Sequence, residues 1–491
     1  MSLFTVGVIR SRLRSNHVRE TQTNLAWETL IDLSATRAGP LHVRLTAAIR
    51  GAIRDGRLPL GAALPPSRTL ATDLQVSRWA VTKAYGQLST EGYVSARTGS
   101  ATRVCWSPEP DDRPNRPAQP VRAPRPVRFD LAQSSSDYRA FPRHKWVESI
   151  RAAAEIAPFD QLGYCEQGGE PRLRAVLADH LNRTRGAVAD AGTVCVFSGA
   201  GQSMTQLARA LVEAGHTRIG VEDPGSVQIR KAARSAGLEL VAIPVDDDGL
   251  VVDALEAHPD LRAVCVGPAH HVVTGCVLAP HRRAALLDWA RRVDGLIVED
   301  DYDSEFSSDG PAPAAMQGTD PDRVALLGSM SRTLTPTVNV GWVVAPRWLV
   351  EAVRTDPRVP VNSPALTQLA LVHFMESGAY DRYLRASRQR FRARRNALVA
   401  ALELRLPECR IRGAQAGLHL LLELPAGSNI TAIVAELQKH DIQLCDVDSS
   451  RFQPDPGEFR LQIGYANLSD SLVEEAVAVL AGVIREVGAR R

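Results

Sequence analysis

The chain has 491 residues, of which 44% are apolar and 23% are charged, a composition typical of globular domains that bury a core. No apolar run reaches the ~18 residues that a membrane span needs, and no hydrophobic segment of signal-peptide type follows the first arginines. We therefore expect two or three domains in the cytoplasm and no membrane partner. The seven cysteines lack C-x-x-C spacing, which indicates reduced, mostly buried thiols and no disulfide framework.

The net charge of +3 conceals an uneven distribution along the chain. Residues 37–104 hold ten Arg or Lys against three Asp or Glu, a local net charge of +7, so the rest of the chain sums to −4. A basic module attached to a mildly acidic body predicts a polyanion partner for the module alone.

The basic module has the pattern of a winged helix-turn-helix. Residues 1–36 show no periodicity and are predicted to be a disordered lead-in. Apolar residues then recur at helical spacing, and Ser67 and Ser77 are predicted to cap two further helices. Two short strands around Thr98-Gly99 complete three helices and a hairpin within residues 37–104.

This module resembles the GntR family of DNA-binding regulators. The matching residues, in the family's order, are Leu64, Pro65, Ser67, Arg68, Val76, Ser77, Arg78, Ala84, Tyr85, Leu88, Glu91, Gly92, Tyr93 and Gly99. An extra proline, Pro66, sits inside the first element of the family's pattern. The resemblance implies contacts with double-stranded DNA by Arg68, Ser77, Arg78 and Thr82, and by the wing residues Arg97, Gly99 and Arg103. An arginine at the start of a recognition helix can make bidentate hydrogen bonds to guanine or bind a phosphate. The alternative for each of these arginines is a solvated surface charge that does not contact DNA.

Residues 105–127 are rich in proline and arginine, which predicts an extended linker that cannot form a helix. The body at 128–491 alternates short apolar strands with longer helices. This alternation predicts an α/β fold with a mainly parallel central sheet, and a smaller α+β subdomain at about 380–491.

Two stretches of the body carry its candidate chemistry. In the first, the apolar residues 296–298 lead into five carboxylates around Tyr302, namely Glu299, Asp300, Asp301, Asp303 and Glu305. A buried strand that ends in polar residues is typical of a parallel sheet, where ligands bind at the carboxyl ends of strands. The second stretch, residues 324–342, contains Ser329, Ser331 and Arg332.

The pair of stretches resembles the cofactor site of fold type I aminotransferases, which bind pyridoxal phosphate. The resemblance implies that Asp300 pairs with the pyridine nitrogen and that Tyr302 bonds the phenolic oxygen. Ser329 and Ser331 would lie beside the cofactor. A turn formed by Ala200, Gly201 and Gln202 resembles the family's phosphate turn, because small residues at a helix N-terminus offer free N–H groups to an anion.

Arg332 occupies the place where that family has the lysine that bonds the cofactor aldehyde. The bond needs a neutral amine, and a guanidinium stays protonated to a pKa of about 12 or more. Asn339 likewise falls where the family has a phosphate-binding arginine. Any pyridoxal phosphate should therefore be held noncovalently.

Two further positions complete the candidate residues. Arg460, on an apolar strand, resembles the arginine that clamps a substrate carboxylate in transaminases, and an internal salt bridge is the alternative. His270 and His271 are adjacent, so both cannot point into one site from an extended strand, and we expect no metal.

The order of module, linker and body resembles the MocR subfamily of GntR-type bacterial regulators. It implies a homodimeric transcription factor whose body binds a small-molecule effector, such as an amino acid or a compound related to pyridoxal phosphate. Because of Arg332 we predict no transaminase turnover. Two alternatives stay open: a pyridoxal-phosphate-dependent aminotransferase with a fused DNA-binding module, and a regulator whose body binds no pyridoxal phosphate.

Overall fold

The computed structural model describes residues 27, 31, 33, 39–96, 101–106, 127–132, 136–163, 166–306, 312–356, 358, 363–413, 417–455, 457 and 459–489. Arg97, Gly99 and most of the predicted linker, residues 107–126, lie outside these positions. The chain divides into two compact units, Met1–Ala123 and Pro124–Arg491. Within the described positions, no helix is both long enough and apolar enough to cross a membrane.

Residues 1–36 were predicted to be disordered, but Trp27 is helical and Ile31 is buried in the core of the smaller unit, so that prediction was wrong at these positions. From residue 39 on, the described part of the unit contains three helices and a hairpin, as predicted. These are α1 Leu41–Arg54, α2 Ser67–Asp73, α3 Arg78–Thr90, β1 Val94–Ser95 and β2 Arg103–Val104. The two strands pair antiparallel, and the helices bury a core that includes Leu45, Ile49, Leu70, Val81 and Leu88.

The two predicted helix caps of this unit have different outcomes. The Ser77 hydroxyl accepts a hydrogen bond from the Ala80 amide at 3.2 Å, so the predicted cap of α3 is confirmed. The prediction for Ser67 was wrong, because the extra proline Pro66 takes the N-cap position of α2 and Ser67 is its first helical residue.

The helices of the larger unit surround two main sheets, of eight and four strands, and a further sheet of two short strands. They are α4 Arg143–Ile156, α5 Pro171–Arg185, α6 Ala200–Glu213, α7 Val227–Ser235, α8 Pro280–Val293, α9 Met330–Thr333, α10 Arg347–Thr355, α11 Ala365–Glu376, α12 Ala379–Arg405, α13 Ile430–Lys439 and α14 Val473–Ala489. Short 3-10 turns lie at Tyr138–Ala140, Phe159–Leu162, Val252–Ala257, Ser304–Phe306, Met316–Gly318, Pro336–Val338, Asp448–Ser450 and Asp470–Leu472.

The strands of this unit are β3 Phe129–Asp130, β4 Val194–Phe197, β5 Arg218–Asp223, β6 Glu239–Asp246, β7 Gly249–Leu250, β8 Ala263–Val266, β9 Leu296–Asp300, β10 Val324–Ser329, β11 Gly341–Val344, β12 Arg410–Arg412, β13 His419–Glu423, β14 Ile442–Gln443, β15 Cys445–Asp446 and β16 Arg460–Gly464. The large sheet has the order β4-β11-β10-β9-β8-β5-β6-β7. Its strands β6, β5, β8, β9 and β10 run parallel, so the predicted mainly parallel sheet is confirmed.

The parallel order explains where the candidate residues lie. Asp300 at the end of β9 pairs in register with Leu327 of β10, so both strands deliver their following loops to the same edge of the sheet. The smaller sheet, β12-β13-β16-β15, is antiparallel, and β13 begins at His419.

The cysteine prediction is partly wrong. The six cysteines among the described residues are all free thiols, but only Cys195 and Cys265 are buried. Cys445 is half-buried because β15 is an edge strand of the smaller sheet. Cys165 lies outside the described residues.

Candidate functional site

The α3 helix of the smaller unit presents an exposed polar edge. Arg78 and Thr82 are both exposed one turn apart, and the Thr82 hydroxyl donates to the Arg78 carbonyl at 3.0 Å. Arg68 is exposed in the first turn of α2. In the described part of the chain, neither Arg68 nor Arg78 forms an ion pair, which leaves both guanidinium groups available for an anionic partner.

Trp79 is a residue that the sequence analysis missed. Its side chain is 60% exposed beside Arg78, and the Lys83 ammonium lies 5.9 Å from its ring centre. A large exposed aromatic residue at the start of a helix is the signal that would have found it. Trp79 thus shares the exposed edge of α3 with Arg78 and Lys83, the edge that the resemblance assigns to DNA contact.

Other basic residues of the module hold the fold together. Arg50 makes a bidentate pair with Glu91 at 2.8 and 2.7 Å, and Arg54 donates to the Tyr93 hydroxyl at 2.7 Å. The exposed Arg103 was predicted to contact DNA, and one nitrogen of its guanidinium donates to the Gly61 carbonyl at 3.0 Å. That nitrogen therefore anchors the wing. The predicted wing residues Arg97 and Gly99 lie outside the described residues.

The five carboxylates of the body do not all face one site. Asp301 pairs with the buried Arg185 of α5 at 2.8 and 3.1 Å. Glu299 accepts the amides of Met316 and Gln317, each at 3.1 Å. Glu305 bonds His180 at 2.8 Å and Arg388 at 2.6 Å. Three of the five therefore stabilise the surrounding loops, which leaves Asp300 and Asp303 near Tyr302.

The structure brings Asp300, Tyr302 and Arg332 together. The Arg332 guanidinium carbon lies 5.4 Å from the centre of the Tyr302 ring, a cation–π arrangement. Burial, followed by repulsion from Asp301 and Asp303, raises the pKa of Asp300 to about 7, and Arg332 opposes that rise. Burial also raises the pKa of Tyr302, so its hydroxyl stays protonated and donates a hydrogen bond.

The serines next to Arg332 bond to each other. The Ser329 hydroxyl donates to the Ser331 hydroxyl at 2.9 Å and accepts the Ser331 amide at 3.1 Å. These contacts cap α9, which holds Arg332 directly after β10. Each serine oxygen keeps a second lone pair, so a ligand contact is compatible with this arrangement.

The predicted phosphate turn is the N-terminus of α6, which begins at Ala200. Gly199 precedes it with φ 83°, and Gly201 is exposed. The side-chain amide oxygen of Gln202 accepts the backbone amide of Ser198 at 2.6 Å, two residues before the turn. Gly341 has no room for a Cβ because the backbone of Gly199 and Ala200 packs against it. This contact places the segment after Asn339 against the turn.

Arg460, the predicted carboxylate clamp, lines a cavity that does not border Tyr302. It borders a cavity of about 630 Å³ together with Arg412, Arg451, Asp246 and Asp247, and the lining includes none of Asp300, Tyr302 or Arg332. Two positions further along β16, Gln462 donates to the Val272 carbonyl at 2.7 Å. The structure thus does not join Arg460 to the other predicted cofactor residues.

Comparisons with known proteins agree with this two-part organisation. Residues 41–104 match the gntR family of bacterial regulatory proteins, and residues 131–480 match aminotransferase class I and II. The chain is 30% identical over 459 residues to the probable rhizopine catabolism regulatory protein MocR of Rhizobium meliloti, covering 89% of this chain and 92% of the relative. It is 34% identical over 405 residues to the pyridoxine biosynthesis transcriptional regulator PdxR of Corynebacterium glutamicum, covering 80% and 86%. The chain belongs to the GntR-type transcriptional regulators with an aminotransferase-like body.

Solved structures confirm the fold of the regulator's body. A multiple substrate aminotransferase from Thermococcus profundus superposes with a TM-score of 0.67 at 22% identity, covering 74% of this chain and 93% of the aminotransferase. At this identity the likeness supports the fold and does not transfer the activity.

The residues of the regulator fit pyridoxal phosphate, the cofactor its family implies, only in part. Asp300 and Tyr302 suit the ring, and the N-terminus of α6 suits the phosphate. The chain has four lysines, all exposed, on α3, α4, α7 and α13: Lys83, Lys145, Lys231 and Lys439. None of them supplies an amine at the site for the cofactor aldehyde. The donor set matches noncovalent binding and does not match a covalent bond.

A buried acid beside the site predicts how stability changes with pH. Glu222 accepts the Gly267 amide at 3.1 Å, and burial raises its pKa to about 8. Folding therefore favours its protonated form, and this contribution is lost as the pH rises through about 8. We expect Glu222→Gln to gain stability relative to wild type by up to about 1.4 kcal/mol per pH unit between roughly pH 5 and 8. Urea unfolding at several pH values measures the free energy of unfolding of both proteins. A difference between Glu222→Gln and wild type that does not grow with pH would contradict the prediction.

Proposed function

We propose that the body of this regulator senses a small zwitterionic or anionic ligand, joins two chains, and does not catalyse amino transfer. The observation that carries the proposal is Arg332, which follows β10 and lies over the Tyr302 ring at 5.4 Å. We propose that it stands where catalytic relatives of this fold have lysine. Amino transfer needs a neutral primary amine there, and a guanidinium does not provide one at neutral pH.

Noncovalent pyridoxal phosphate, or its amine form, is the first candidate ligand. Asp300 would face the ring nitrogen, Tyr302 the phenolic oxygen, and Ser329 and Ser331 the rim of the site. A cationic ring nitrogen would favour the ionised form of Asp300, which burial alone disfavours. The amides of Ala200 to Gln202 would meet the phosphate. When bound, this cofactor supplies an electron-accepting ring and an aldehyde or amine to the pocket.

A specific observation also favours a body that binds no pyridoxal phosphate. Asn339, at the position where the aminotransferase family has a phosphate-binding arginine, supplies no positive charge for a phosphate. A dianionic phosphate would then be held by one helix N-terminus, whose contribution is about 0.3–1 kcal/mol at an exposed site. The two candidates differ in a single measurable quantity, the affinity for the cofactor.

The cavity beside Arg460 is where we place the effector. Arg460 and Arg451 bring positive charge to its wall, which suits a carboxylate. Asp246 and Asp247 bring negative charge, which suits an ammonium group, and a ligand would compete there with their present partners Arg282 and Arg412. The cavity volume of about 630 Å³ falls in the range of small-ligand sites. An amino acid carries both complementary charges, so we propose that the effector is of this class.

We also propose that the regulator is a homodimer. Apolar side chains on α4 and the turn after it are exposed, with Val147 at 58%, Ile156 at 70% and Phe159 at 95%. Large apolar side chains left in solvent favour association, and we infer that a second copy of the chain covers part of them. Sedimentation of the full chain measures the mass, and the 53.2 kDa of a single chain would contradict the proposal.

The central test combines cofactor and amino-acid readouts on the purified full chain. With pyridoxal phosphate present, we expect borohydride to leave no adduct at residue 332 and amino acids to show no turnover above protein-free controls. An amino acid effector should change the affinity of the protein for DNA upstream of its own gene by about 5- to 150-fold. Turnover of any amino acid would refute the absence of catalysis. Unchanged DNA affinity across the amino acids, and with pyridoxal phosphate and its amine form, would refute the sensing role.

A further inference from the structure

His270, Asp303 and His419 form a buried cluster between the two sheets of the body. Each is at most 2% exposed. One side-chain nitrogen or oxygen from each lies within 4.8 Å of those of the other two. His270 and Asp303 come from loops that follow strands of the large sheet, whereas His419 begins β13 of the smaller sheet.

The hydrogen bonds of this cluster do not use all of its polar atoms. The Nδ1 atom of His270 lies 3.1 Å from both oxygens of Asp303 and 2.7 Å from the Tyr302 hydroxyl. One imidazole nitrogen has either one hydrogen or one lone pair, so it cannot satisfy all three oxygens. Several potential ligand atoms therefore converge on a single point.

Three imidazole nitrogens of the cluster have no hydrogen-bond partner of good geometry among the described residues. Within the described residues, Nε2 of His270 and both ring nitrogens of His419 lack a hydrogen bond of good geometry, although the Val273 carbonyl lies near His419. An unsatisfied buried polar group costs about 1–3 kcal/mol. Two such histidines in contact, with ring centres 4.7 Å apart, indicate a group that the imidazoles bind together.

We propose that His270, Asp303 and His419 bind a divalent first-row transition metal, with Zn²⁺ as the probe. Two imidazoles and one carboxylate are a donor set that holds Zn²⁺ and leaves a fourth position, which the Tyr302 hydroxyl adjoins. Ligand atoms around tetrahedral Zn²⁺ are separated by ~3.3 Å, which follows from bonds of about 2.0–2.1 Å. The His270–Asp303 separation of 3.1 Å already matches. From a separation of at most 4.8 Å, His419 must approach by up to about 1.5 Å.

The backbone at Gly417 permits this arrangement. It has φ +69°, and a Cβ there would overlap the His270 ring, so only glycine lets β13 begin against that histidine. A metal would link His419 of the smaller sheet to the loops of the large sheet. The site does not depend on the proposed ligand-sensing role. His271, the neighbour of His270 in the sequence, faces Glu222 at 3.5 Å and takes no part in the cluster. His419 supplies the second imidazole.

The test is calorimetric titration of the full chain with Zn²⁺ after treatment with chelator. Wild type is expected to bind one Zn²⁺ per chain and to melt at a higher temperature when Zn²⁺ is present. The volume-conserving variants His419→Gln and Asp303→Asn should each bind at least about tenfold more weakly. Circular dichroism of the two metal-free variants establishes that they fold.

Two variants serve as matched controls for adventitious binding. Cys105→Ser removes an exposed thiol and His440→Ala an exposed imidazole, and both should keep the wild-type affinity. The proposal is overturned if wild type takes up no Zn²⁺. It is also overturned if the cluster variants bind as wild type does, or if a control variant accounts for the binding.

Discussion

An Arg332→Lys variant is expected to bond pyridoxal phosphate covalently, whereas wild type does not. Residue 332 lies at the carboxyl end of β10, beside the end of β9, and its side chain reaches the face of Tyr302. A lysine amine in this position loses its proton far more readily than a guanidinium does, because the lysine pKa falls with burial. Asp300 and Tyr302 are already placed for the ring, so a single substitution supplies the missing nucleophile.

The measurement is the intact mass of the protein after reduction with borohydride, followed by peptide mapping. One adduct per chain at residue 332 is the expected result, with none in wild type. Arg332→Gln is the matched control, since it removes the charge without adding an amine. Equal labelling of the lysine and glutamine variants would place the adduct on the surface lysines and show that the pocket no longer accepts the cofactor.

Loss of Arg78 is expected to weaken binding to the regulator's own upstream DNA by about 1–3 kcal/mol and to relax base preference. Arg78 is the first residue of α3, is exposed, and forms no ion pair with another described residue. Its guanidinium is therefore available to a base edge or a phosphate at the start of the recognition helix. The binding constant should also fall steeply with salt, because phosphate contacts release counterions.

Arg57→Ala is the control for Arg78→Ala. It removes the same charge from the same module, but Arg57 lies in the turn after α1, paired with Asp55 at 3.0 Å. We expect it to change affinity much less than Arg78→Ala. Fluorescence anisotropy with a specific and a scrambled duplex separates base-specific contacts from general attraction to the DNA charge. Equal losses for both variants would mean that α3 does not contact bases.

The winged helix-turn-helix was predictable from the sequence because its signals are local. The spacing of apolar residues sets the helices, and the Ser77 cap acts on an amide three residues away. The wrong cap at Ser67 came from one inserted proline, whose extended backbone moved the start of α2. Trp79 was missed because a tryptophan in a helical pattern is usually buried.

The sequence by itself determined the run from a buried strand into carboxylates and the chemistry of residue 332, since a guanidinium stays protonated in almost any environment. Only the tertiary structure decided which groups share a site. Arg185 from α5 neutralises Asp301, and His419 from the smaller sheet meets His270 and Asp303. Those partners are far apart in the chain, so local patterns carry no record of them, and packing between the sheets brings them within bonding distance.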